Sequence, residues 1–310
     1  VRVTVFRAGG LGDTLLVLPA LAALHREVPG ARVTLVGSAW ASEVRPMLDL
    51  RLDTAEFGSP RLTPLFSEGL GADPTGLLAA ADAAVVYDAD AESVLARNAR
   101  RLCAGVVVVW GARPQRREHA AVHFARAVLE APGPDDVPVP RLLVSGGRTE
   151  WARRWLQTHT GTDAGGVAVH PGSGGRLKCW PAARFADLLG GLPGPVVILG
   201  GPADAAEVDA LVRAIRGRDR PAVARALPLA RAAALLSVCR LYVGNDSGIS
   251  HLAAALGIPT VAVFGPTDPA VWAPRGRAVE TVAPSQGAGL DWPTARQVAL
   301  AVRRLLHRPL

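Results

Sequence analysis

Asp246, Ser247, Gly248 and His251 stand close together, directly after the apolar run RLYVG. An apolar strand running into a helix that opens on Ser-Gly leaves backbone N–H groups at a helix N-terminus. Partial positive charge collects there, so the chemistry on offer is anion binding. Gly248 omits a side chain that would block the approach. Asp246 beside such a site fits a helix cap or a contact with a ribose. His251, one turn into the helix, fits a packed core histidine or a hydrogen-bond donor to phosphate. FGPTDP, residues 264–269, supplies a further turn at the end of the next strand.

A second loop, HPGSGGRLKCWP at 170–181, offers the matching half. Ser173, Gly174 and Gly175 precede Lys178, and loop amides with a hydroxyl and an ammonium suit a diphosphate. The spacing is not that of a Walker A loop. The bland alternative is a surface loop with a solvated lysine. Cys179 beside Lys178 reads as a small filler or a low-pKa thiol. A third loop, GGPAD at 200–204, places Asp204 where it could meet a nucleoside or cap the helix that follows.

The first loop, RAGGLGDTLL at 7–16, lies between a strand and a helix. Gly10 and Gly12 give half of a dinucleotide fingerprint, but Leu15 stands where its last glycine belongs, and no acid ends the second strand. Nicotinamide dinucleotide binding is therefore not expected. The glycines still let a substrate approach the backbone. Asp13 at the helix mouth is either a cap or a general base.

These loops need strands and helices to hold them, and the pattern supplies both. Continuous β-branched runs such as VRVTVF, ARVTLVGS, AAVVYDA and AGVVVVWG alternate with amphipathic stretches. That is the signature of parallel sheets covered on both faces. The alternation breaks at APGPDDVPVP, 131–140, where proline and glycine disfavour helix and central strand. It then resumes with GVAVH, PVVILG, PAVARAL, RLYVG and TVAVFG. Two Rossmann-like domains follow, 1–140 and 141–310, with a last helix at about 293–307. Ligands of open α/β sheets bind at strand carboxyl ends, so we expect a cleft between the halves.

The chain has 310 residues, 49% of them hydrophobic and 20% charged, which fits folded domains rather than disorder. The formal net charge of +7 points to anionic partners without choosing among them. No aromatic-interleaved basic stretch supports nucleic-acid binding. Cys103, Cys179 and Cys239 lack metal or disulfide spacing. No signal peptide or membrane span is expected, and the expected location is the cytoplasm, including its membrane face. Arg113, Arg116 and Arg117 precede a helix and could grip an anionic acceptor, or form a solvated basic turn.

Taken together, GGLGDTLLVLPAL, HPGSGGRLKCWP and GNDSGISHLAAALGIPTVAVFGPTDP resemble glycosyltransferase family 9, the ADP-heptose:lipopolysaccharide heptosyltransferases. The resemblance implies a GT-B fold, α/β with two Rossmann-like doubly wound domains. It implies acceptor binding by the first domain, nucleotide-sugar binding by the second, and a final helix that packs back toward the first. It maps Asp13 onto the catalytic base and Lys178 onto the lysine near the donor phosphates. Ser173 matches a phosphate-loop hydroxyl, and Asp246, Ser247, Gly248 and His251 the donor-binding element. Asp204 falls near an acidic position that meets the nucleoside. Ser173 is followed by Gly174 where the family often has a second hydroxyl. The implied reaction is an inverting, metal-independent transfer of a sugar, heptose from an ADP-sugar, to an anionic glycan or glycolipid such as lipopolysaccharide core. The implied partners are that donor and acceptor, with peripheral contact at the inner membrane and no cofactor beyond the donor. A sugar-nucleotide epimerase of the same fold and a noncatalytic nucleotide-sugar binder remain the alternatives.

Overall fold

The computed structural model describes residues 1–163, 165–216, 221–284 and 292–306. The chain divides into two compact units, Val1–Pro140 and Arg141–Leu310.

The first unit runs β1 (Arg2–Arg7), α1 (Leu11–Glu27), β2 (Arg32–Gly37), α2 (Ala39–Val44), β3 (Leu52–Glu56), β4 (Ala83–Asp88), α3 (Val94–Leu102), β5 (Val106–Gly111) and α4 (Ala120–Ala125). Its sheet is ordered β3-β2-β1-β4-β5, with every pair parallel. β1 is buried from Val3 through Arg7 and apolar there except for Thr4 and the terminal Arg7, as a strand covered on both faces requires. Phe6, Val36, Leu65, Leu78 and Val86 pack together on one side of the sheet. The strand order reverses at β1, so the loop 8–10 opens at the topological switch point, where open sheets bind ligands.

The second unit runs α5 (Gly146–Thr160), β6 (Val167–His170), α6 (Ala182–Gly190), β7 (Val196–Gly200), α7 (Ala205–Ala214), β8 (Ala222–Arg225), α8 (Leu229–Ser237), β9 (Leu241–Asn245), α9 (Gly248–Ala255), β10 (Thr260–Val263), α10 (Pro269–Trp272), β11 (Val279–Val282) and α11 (Ala295–Leu306). Its six parallel strands are ordered β11-β10-β9-β6-β7-β8. The reversal here lies between β6 and β9, whose carboxyl ends are His170 and Asn245. Trp180, Phe185, Ile198 and Val243 anchor the core.

α11 buries Val298, Ala301, Val302 and Leu305 in the core of the second unit, against α6, β10 and β11. Its apolar face matches the open flank of β10 and β11, which would otherwise expose Val261 and Val263. His307 lies outside the described residues. β3 and β11, both edge strands, carry no clear sequence signal. Their short, half-buried patterns, Beiie and iiei, break the apolar run that marks a central strand. No described helix is long and apolar enough to cross a membrane.

Candidate functional site

In the second unit the loops after β6, β7, β9 and β10 are tied into one network, and Asn245 is its fastener. Its side chain is fully buried. Nδ2 donates to the carbonyls of Pro171 (2.8 Å) and Gly172 (3.1 Å), and Oδ1 accepts from the Trp180 amide (2.9 Å). Both ends of the loop after β6 are thereby pinned to the end of β9. Trp180 is the apolar anchor beneath, its indole N–H donating to the Pro293 carbonyl.

The pinned loop delivers two polar groups to Asp246. Ser173 Oγ donates to the Asp246 carbonyl at 2.6 Å, and Lys178 Nζ lies 2.8 Å from Asp246 Oδ2. Thr267, on the loop after β10, donates to the same oxygen at 2.8 Å. Asp246 is 8% exposed and Lys178 37%, so the ammonium is held by a buried carboxylate yet open to an arriving ligand. Asp246 does not cap the helix. Ser247 is the N-cap of α9 and makes no side-chain cap bond, and the Asp246 carboxylate is turned to Lys178 and Thr267. Gly248 begins α9, and His251 is buried one turn further on. An ammonium, hydroxyls and an uncapped helix N-terminus converge on a place suited to a diphosphate.

Asp204 closes a capping box at the short helical turn after Gly201 and is also paired with an imidazole. Its Oδ2 accepts from the Gly201 amide at 2.8 Å and lies 3.0 Å from His170 Nε2. Burial opposes its charge, but the hydrogen bond and charge of His170 and the Gly201 amide outweigh burial and hold the carboxyl below its usual range. Gly172 is required for this approach: a Cβ there would stand 2.0 Å from Asp204 Oδ1. Gly174 is exposed in the same loop. Cys179 is not an activated thiol. Burial, then the charges of Glu207 and Asp204, push its pKa up, which suits the filler role.

In the first unit, Asp13 is the third residue of α1, and Gly10 is the N-cap. Its Oδ2 accepts the Gly10 amide at 2.9 Å, and its Oδ1 is 2.6 Å from Arg7 Nη2. The carboxylate thus serves the helix start while remaining 35% exposed. Arg7 is buried, its guanidinium 4.8 Å from the Phe124 ring centroid, and its Nη1 donates to Ala8 O. Burial lowers its pKa, while Asp13 opposes that shift. Gly9 has φ +141, and a Cβ there would meet Asp13 Cβ at 2.5 Å, so only glycine fits. Gly12 lies in the first turn of α1. Arg113 is exposed and close enough to Arg7 to depress its pKa. Arg116 lines a cavity with Trp110, Glu118, His123 and Arg126, and Arg117 is exposed beside it.

Sequence reasoning named Ser173, Lys178 and Asp246, and the fold bonds them to one another. It passed over His170, Asn245, Thr267 and Arg7. His170 and Asn245 end strands and Thr267 sits within the FGPTDP turn, where a polar residue following an apolar run was the available signal. Arg7 ends β1 in the same manner.

Residues 99–290 match the model of glycosyltransferase family 9 (heptosyltransferase). Lipopolysaccharide heptosyltransferase 3 of Escherichia coli is 29% identical over 154 residues, 48% of this chain and 45% of that one. Lipopolysaccharide heptosyltransferase 1 of Escherichia coli strain K12 is 28% identical over 296 residues, 86% of this chain and 89% of that one. The chain spans less than half the length of several curated relatives it matches. The solved structure of E. coli ADP-heptose lps heptosyltransferase II has a TM-score of 0.77 at 19% identity, covering 99% of this chain and 98% of that one. That likeness gives the fold, GT-B, with two Rossmann-like units. The family match covers well over half of the chain and takes in Ser173, Lys178, Asp204 and Asp246: the chain belongs to glycosyltransferase family 9.

Proposed function

We propose that this protein is an inverting, metal-independent glycosyltransferase that moves a sugar, heptose from ADP-heptose, to a hydroxyl of a cell-envelope glycan such as lipopolysaccharide core. The observation that carries the reading is the convergence of Lys178, Ser173 and the N-terminus of α9 around the buried Asp246. The names of the relatives support the sugar and the acceptor class.

In this mechanism Asp13 takes the proton of the acceptor hydroxyl. The oxygen attacks the anomeric carbon from the face opposite the nucleotide, and the bond from that carbon to the diphosphate oxygen breaks. The electron pair leaves with the diphosphate. Lys178, the Ser247 hydroxyl and the amides at the start of α9 stabilise the growing charge. Lys178 is pre-aimed by Asp246, so little reorganisation is needed when the charge develops. His251 and Asp246 complete the donor pocket. Gly10 and Gly12 give the acceptor close access to Asp13, and Arg113, Arg116 and Arg117 meet its anionic groups. The protein works in the cytoplasm, with peripheral contact at the inner membrane where a glycolipid acceptor is presented.

The test is a binding screen of ADP, UDP, GDP and dTDP, each with and without Mg²⁺, followed by turnover on a lipopolysaccharide-core acceptor. ADP preference that survives chelation, and a product of inverted anomeric configuration, are expected. A UDP preference would move the donor class. Retained configuration would overturn the mechanism.

A further inference from the structure

Asp204 was expected to touch the nucleoside, yet its ionised oxygen is committed elsewhere. Oδ2 lies 3.0 Å from His170 Nε2 and also takes the Gly201 amide. On the far side of the same imidazole, Nδ1 is 3.4 Å from Ser247 Oγ. Asp204, His170 and Ser247 therefore form a line from the loop after β7, through the end of β6, to the N-cap of α9. His170 is 4% exposed and Ser247 8%, so water competes little with these contacts.

The line has a built direction. Asp204 is an acceptor, since its carboxyl is held ionised, so His170 Nε2 carries the proton and donates. That fixes the ring plane and aims Nδ1 at the Ser247 hydroxyl. Ser250, another neighbour of Ser247 Oγ at 3.4 Å, donates its own proton to the Asn245 carbonyl and is met by Tyr242 OH at 3.0 Å, and Tyr242 interacts with Ser247 as well. The His170 and Ser250 contacts of Ser247 Oγ are both long for hydroxyl bonds. The hydroxyl is thus held in orientation, with long contacts to His170 and Ser250, and an anionic oxygen at the N-terminus of α9 would outcompete those contacts. The absence of a Cβ at Gly172 is what lets Asp204 come close enough to hold His170.

We propose that His170 is a positioning residue that orients the Ser247 hydroxyl toward the donor diphosphate, and that Asp204 acts on the donor only through His170. The inference rests on the donor site described under Proposed function, and its test separates the two. ADP binding is measured by calorimetry for the wild type, Asp204→Asn, Ser247→Ala, His170→Leu, and the doubles D204N/H170L and S247A/H170L. A thermal melt of each variant reports folding. Wild type that binds no nucleoside diphosphate overturns the donor site itself.

With wild-type binding intact, D204N and S247A each weaken ADP by roughly three- to tenfold. Each loses that effect in the H170L background, as groups acting through one link must. His170→Asn, whose amide can meet Ser247 but cannot reach Asp204, restores part of the affinity and makes it indifferent to D204N. A D204N loss of equal size with and without His170 would overturn the proposal and return Asp204 to direct donor contact. If H170L bound ADP as tightly as wild type while only its melting temperature fell, the dyad would be structural and the proposal wrong.

Discussion

Replacing Lys178 by Met separates two roles that one ammonium performs. Lys178 Nζ is 2.8 Å from Asp246 Oδ2, and Asp246 is 8% exposed against 37% for Lys178. Breaking a fully buried pair strands a charge at a cost of about 3–5 kcal/mol. Here water reaches the lysine side, and Thr267 still donates to the stranded oxygen. Discounted for that screening, the loss of stability should be about 1–2 kcal/mol. For a unit of this size that is a fall of roughly 2–8 °C in melting temperature. The effect on turnover is larger, because a charge aimed at a leaving group acts mainly in the transition state, and loss of one such donor costs about 10²–10³ in kcat. Initial rates over a range of donor concentrations and thermal melts should be taken for wild type, K178M, D246N and K178M/D246N. In the double variant no carboxylate is stranded, so stability recovers toward wild type while kcat stays low. K178M turning over within a few-fold of wild type would refute the placement of Lys178 on the diphosphate. So would a double variant whose rate returns together with its stability.

Asp13→Asn should keep ADP affinity but lower kcat by about 10²–10⁴, read from paired calorimetry and rates; turnover within a few-fold of wild type would remove Asp13 as the base. Gly9→Ala places a Cβ against Asp13 in a left-handed backbone region, so kcat should fall while ADP affinity holds. Asp204 has a depressed pKa, so its contribution to stability is complete above its ordinary value of 3.8 and is lost as pH falls through the lower folded value. The melting temperature of D204N should accordingly fall less than that of wild type on acidification below about pH 4; parallel acid profiles would contradict the His170–Asp204 pairing. Burial pushes the Cys239 thiol up to about 12 and raises Cys179 as well, so native protein should react with a thiol reagent far more slowly than unfolded protein, with Cys239 behind Cys179.

Much of this arrangement was legible in the residues. The apolar runs before His170, Asn245 and Arg7 announced parallel strands, and the Gly-, Ser- and Asp-rich turns after them announced strand-end loops. Strand-end loops of an open sheet are where ligands bind, so Ser173, Lys178 and Asp246 stood out as candidates, and the family resemblance supplied their donor-site roles. The break at 131–140 stands out for the same reason, because proline removes backbone donors that a strand or helix needs.

Other features depended on distances between segments remote in sequence. Asp204 and His170 lie 34 positions apart, and only the adjacency of β6 and β7 makes the carboxylate a partner of the imidazole. Asp246 looked like a helix cap because it precedes a helix. Lys178, 68 residues earlier, draws its carboxylate away through the β6–β9 pairing. Where the final helix seats within the second unit depends on the apolar flank of β10 and β11, which its own residues do not reveal. Residue type and local pattern determine which strands, turns and polar groups exist, because those depend on backbone preference and periodicity. Which polar group satisfies which is settled by strand order, since a buried donor or acceptor must take the partner that the sheet brings within reach.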